Sequence, residues 1–81
     1  MELTLRTPYK TFLKDFDGFS RIITKTNEAS LVISNKSPPA LYILPPGNIK
    51  IKFIQDVKDC APEYMHTGGW CIVHVYIFIL V

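Results

Sequence analysis

Apolar and polar residues alternate with period two along most of this chain, the pattern of strands with one buried and one wet face. "LTLRT" (3–7) alternates cleanly and stops at Pro8, and "YKTFLKDF" (9–16) follows and turns back at Asp17-Gly18. "FSRIIT" (19–24), the polar turn "KTNEA", "SLVIS" (30–34) and the proline-bearing break "NKSPPA" come next. The stretch "LYILPPGNIKIKF" (41–53) predicts two strands hinged as a hairpin. There Pro46 sets φ for the second turn position and Gly47 supplies the positive φ after it. This pattern predicts a mutually buried set of Leu31, Ile33, Leu41, Ile43, Ile49 and Ile51, with Lys50 and Lys52 facing water or an acidic partner. Edge-strand lysines that discourage aggregation are an equally good account of those two charges.

A polar loop, "QDVKDCAPE", leads to "YMHTGGW", where Gly68-Gly69 makes a tight turn into the apolar run "GWCIVHVYIFILV". Residues 70 to 81 are too few for a helical membrane span, which needs about 20. Their Val, Ile, Tyr and Phe favour strands, so the run reads as one long strand or two meeting near His74 and Val75. The whole chain predicts an all-β fold with more than half its residues in strands. The architecture expected is a small two-sheet β-sandwich or flattened barrel of about eight or nine short strands, as a single domain over residues 1–81.

Composition changes this picture little. At 48% apolar residues the 81-residue chain can build a core, with a stability of about 4–12 kcal/mol at the usual per-residue figure. A net charge of +2 is too small to call for a nucleic-acid partner. The start "MELTLRTPYK" alternates from its second position and does not read as a signal peptide.

Chemistry has little to stand on. Cys60 and Cys71 read as reduced thiols, and together with His66 and His74 they match no zinc spacing. The seven carboxylates fall mostly in turns and loops. No pair of them sits in an apolar pocket that would split its pKa values. No serine stands in an elbow of glycines, and no glycine loop cradles a phosphate. His66 reads as a strand-end residue and His74 as a hydrogen-bonded sheet residue. The expectation is a protein that is not an enzyme and needs no metal or cofactor.

The order of features resembles the amino-terminal β-sandwich domain of the epsilon subunit of F-type ATP synthases, called delta in mitochondria. "NEASLVISNKSPPALYILPPGNIKI" fits that family without a gap from Asn27 to Ile51. Leu31 and Ile33 fall on its "LGI", Pro39 on the proline of "HAP", Pro46-Gly47 on "PG", and Ile49-Lys50-Ile51 on "IRI". "HTGGW" falls on its "SGG" turn. Ala29-Ser30, Val32 and Ser37-Pro38 depart from the family's usual glycine-glutamate, glycine and His-Ala. The family's usual carboxy-terminal helical hairpin is not expected in this chain.

The resemblance implies a non-catalytic rotor subunit of the central stalk, coupling proton translocation to ATP synthesis. Its partners would be the gamma subunit and the membrane ring of c subunits, and it would be peripheral on a bacterial, plastid or mitochondrial energy-coupling membrane. By position it implies partner contacts at the ring-facing turn, Asn27, Glu28 and Ser30, and at the rotor-facing loop, Asn35, Lys36 and Ser37. Two other classes stay open. One is an oligonucleotide-binding barrel using Lys10, Lys14, Lys50 and Lys52 beside Tyr9, Phe12 and Tyr42. The other is an unrelated β adaptor module.

Overall fold

A computed structural model describes residues 2–54 and 63–81. It contains nine strands and no helix among those residues. The strands are β1 (Leu3–Arg6), β2 (Thr11–Phe16), β3 (Phe19–Lys25), β4 (Ser30–Ser34), β5 (Ala40–Leu44), β6 (Gly47–Phe53), β7 (Glu63–His66), β8 (Gly69–Val73) and β9 (Ile77–Leu80). They form a five-stranded sheet in the order β2-β1-β9-β8-β5 and a four-stranded sheet in the order β4-β3-β6-β7. All pairs are antiparallel except β1 with β9. The all-β, two-sheet expectation is met, and more than half the chain is strand.

Period-two alternation places the core between the sheets. The five-stranded sheet contributes Leu3, Leu5, Leu44, Cys71, Val73, Ile77 and Ile79. The four-stranded sheet answers with Phe19, Ile22, Ile33, Ile49 and Ile51. Aromatic pairs close one open side. Phe16 meets Phe53 edge-on at 5.4 Å, and Phe12 meets Tyr64 at 5.3 Å, each joining β2 to the opposite sheet. Such pairs add about 0.5–1.5 kcal/mol beyond the area they bury.

Three expectations for the stretch 41–53 need correction. β5 and β6 are not a hairpin, since β5 is an edge of one sheet and β6 an inner strand of the other. Pro45 and Pro46 lack the N–H that would continue a ladder, so the corner carries the chain from sheet to sheet. Gly47 does not take a positive φ; among the glycines only Gly68 does, at 117°. Leu41 and Ile43 are also not core residues, at 59% and 64% exposed. Leu44 takes the inward phase of β5, and Tyr42 packs against the core beside it.

Elsewhere the turns do unexpected things. Two residues, Lys14 and Asp15, oppose Thr4 between the pairs Leu3–Phe16 and Leu5–Leu13. This is a β-bulge, with Asp15 at φ 50° and its amide donating to Thr4 Oγ1 at 3.2 Å. The closing run forms two strands, as one of its two readings expected, and His74 lies in the turn between them instead of within the sheet. His66 ends β7 as expected.

The Nδ1 of His66 accepts the Gly68 amide at 3.0 Å, while its Nε2 is buried with no hydrogen-bond partner among the described residues. Burial pushes the His66 pKa below its ordinary 6.5. As pH falls through 6.5 the unfolded chain therefore takes up this proton before the folded one does, and stability is lost on the acid side. Urea midpoints at about pH 7.5 and about pH 5.5 should differ less in His66→Asn, whose amide oxygen can still accept the turn's N–H. An unchanged difference would mean that His66 does not carry this acid sensitivity.

Candidate docking faces and turns

β5, β8 and β9 are apolar in both phases of their alternation, "ALYIL", "GWCIV" and "IFIL". One phase fills the core. The other faces outward, because among the described residues the five-stranded sheet has a layer on one side only. Cross-strand register aligns the outward residues in two rows. Leu41, Ile72 and Phe78 form one, continued by Thr4 on β1. Ile43, Trp70 and Leu80 form the other, continued by Arg6. Trp70 is 50% exposed at the centre. A dip of about 110 Å³ lies among Trp70, Ile72, Phe78 and Leu80.

A contiguous apolar patch with a polar margin is the usual mark of a protein interface. The margin here is Thr4, Arg6, Thr11, Lys14 and Asp15, which line an adjoining groove with Phe78. Sequence reading missed this face, because its residues read as core. The available signal was the double-phase apolar pattern in a fold with only two layers.

The sequence-predicted contact residues lie at two places. Asn27 and Glu28 are exposed in the turn between β3 and β4, and Ser30 is the first residue of β4. This turn is built by Thr26, whose Oγ1 accepts the amides of Glu28 and Ala29 at 3.3 and 3.2 Å. Thr26 N also donates to Ala29 O at 2.8 Å. The turn abuts β5, sharing a concavity with Leu41, Tyr42 and Ile43. It therefore borders the apolar face.

Asn35, Lys36 and Ser37 follow the far end of β4. Here the Ser34 amide donates to Ser37 Oγ at 2.9 Å, and Ser37 N returns to Ser34 O at 3.1 Å. Lys36 N donates to Ser34 Oγ at 3.2 Å. The two groups sit at opposite ends of five-residue β4, about 17 Å apart from Ser30 to Asn35 at the usual rise. They are two preformed turns and do not make one patch.

Among the described residues the groups that other readings would use are not brought together. Among the described residues no three metal-ligating side chains gather; Cys60 lies outside those residues. The Cys71 thiol is buried, and its pKa is pushed up to about 12 by desolvation. It is unsuited to thiolate chemistry. The oligonucleotide surface is split, with Lys10 over Phe12 on one sheet, Lys50 and Lys52 on the other, and Tyr42 turned to the core. No helix among the described residues is long and apolar enough to cross a membrane.

No protein-family profile and no curated protein matches the chain. Solved structures do. It is similar to a chain of the Tetrahymena thermophila mitochondrial ATP synthase central stalk/c-ring structure, at 58% identity and a TM-score of 0.83. That match covers all of this chain and 63% of the Tetrahymena one. A chain of the Euglena gracilis mitochondrial ATP synthase OSCP/F1/c-ring structure matches with a TM-score of 0.84 at 20% identity, over all of this chain and 49% of that one. At that identity the Euglena likeness shows the fold alone. This chain thus spans about two thirds to half the length of these relatives.

Proposed function

We infer that this chain, kin over its whole length to a chain from a mitochondrial ATP synthase central stalk and c-ring, is a rotor-stalk subunit of the epsilon type (delta in mitochondria). The observation that carries the reading is the 58% identity over the full chain. In this reading the subunit does no chemistry. It links the gamma subunit to the c-ring, couples proton translocation to ATP synthesis, and is held at an energy-coupling inner membrane through the complex.

The geometry supports a division of labour. The apolar face centred on Trp70 suits a stable, largely dry contact with gamma, while charged tips on pinned turns suit the polar loops of a ring. A close-packed sandwich is a stiff spacer, as a part that transmits torque needs to be. Turns already closed by Thr26 and by the Ser34–Ser37 pair lose little entropy on docking.

Charge reversal tests the turn assignments one at a time. Glu28→Lys should weaken co-purification with the c-ring, more so as salt is lowered, since rim charges act through encounter and screening. Lys36→Glu, at the other end of β4, should instead weaken the hold on gamma. Both side chains are exposed in turns, so the melting temperature should stay almost unchanged. Ring binding by Glu28→Lys that equals wild type at low salt would remove the 27–30 turn from the interface.

A further inference from the structure

The outer face of the four-stranded sheet carries Arg21, Ile23 and Lys25 on β3, Val32 on β4, Lys50 and Lys52 on β6, and Glu63 and Met65 on β7. Among the described residues these strands hold four Lys or Arg and one carboxylate. Arg21 stands directly opposite Lys52 in the ladder, an arrangement that destabilises a sheet pair. Edge protection does not explain the charges, because β3 and β6 are the inner strands. Lys50 does have an opposite neighbour, Glu63. Arg21 and Lys52 face each other with Ser34 beyond.

We propose that this face is a second docking surface, for an acidic protein segment that also bears aliphatic side chains. Charge complementarity sets the sign of the partner. The apolar residues of the face set its class: Val32, 56% exposed on edge strand β4, pairs with Ile23 on inner strand β3, and Ile23 pairs with Lys50. Apolar side chains bordered by Arg21 and Lys25 on β3, by Lys50 on β6 and by Ser30 and Ser34 on the edge strand match the core-and-rim layout of a protein interface. A lipid surface would be met by the cations alone. A partner carboxylate set between Arg21 and Lys52 would turn their repulsion into two attractions, so binding relieves a cost built into the free sheet. The face lies across the sandwich from the Trp70 rows and stands independently of the stalk reading.

The probe is a fluorescein-labelled amphipathic helical peptide with glutamates on one face and leucines on the other, followed by anisotropy with the 81-residue chain. Poly-glutamate of equal charge and phosphatidylserine vesicles are the comparisons. The amphipathic peptide should bind best, and more weakly as salt rises. Lys52→Glu should weaken it by about tenfold or more while melting no lower than wild type, because Arg21 then faces a carboxylate. Arg21→Gln relieves the same repulsion from the other side and should also lose the peptide. Trp70→Ala should leave peptide binding unchanged. The proposal fails if the amphipathic peptide does not bind, or if poly-glutamate binds equally well. It fails also if only the vesicles bind, or if the peptide is lost with Trp70→Ala and kept by Lys52→Glu and Arg21→Gln.

Discussion

On the stalk reading, Trp70→Ala is expected to weaken binding to the gamma subunit about 30-fold or more while changing the melting temperature little. Trp70 lies at the middle of the two outward rows, between Ile43 on one side and Leu80 on the other. Central tryptophans ringed by other apolar groups are typical interface hot spots, and truncating one costs about 2 kcal/mol or more. That is roughly a 30-fold change in Kd. The isolated domain loses much less, because half of the side chain is already in water. Titration of gamma by calorimetry, paired with thermal melts of both proteins, checks both halves. An unchanged Kd would move the gamma contact off this face.

Ile51→Ala should have the opposite signature, with stability and all binding failing together. Ile51 is fully buried on inner strand β6, paired with Ile22 on β3. Removing its side chain leaves a cavity that the close-packed sheets cannot fill, at a cost of about 2–5 kcal/mol. Against a total of about 4–12 kcal/mol for a chain of this size, a loss at the upper end of that cost would unfold much of the population where the total lies near 4 kcal/mol. Urea denaturation at fixed pH measures the loss directly. A loss under about 1 kcal/mol would mean that the site collapses around the smaller residue and that Ile51 is not a core anchor.

How far the chain could be read in advance differs from strand to strand, for physical reasons. Strands such as "LTLR" and "GNIKIKF" have one apolar and one polar phase, so alternation settled both the element and its buried face. In "ALYIL" both phases are apolar, and periodicity cannot say which one turns inward. The inward phase holds Tyr42 and Leu44, because β5 pairs with β8 in the register Tyr42–Cys71 and Leu44–Gly69. Proline-glycine chemistry correctly marked a corner at residues 45–47. Which sheet the next strand joins depends on long-range pairing, which no local signal carries. The Asp15 bulge was likewise invisible, since nothing in "TFLKDF" announces an extra residue opposite Thr4. The two turns proposed to meet partners were locatable as turns because Thr26 and Ser34 form local hydrogen bonds that their own sequence supplies. The apolar face was not, since its residues look like core until the number of layers is known.

The proposed division of labour rests on gamma covering the outward Trp70 rows, and site-specific photo-crosslinking in the assembled synthase tests this most directly. A benzophenone amino acid at Ile43, which is exposed at the edge of those rows, should crosslink to gamma in high yield. The same probe at Met65, exposed on the outer face of the opposite sheet, should not. Gamma crosslinks from position 65 with none from position 43 would contradict the account.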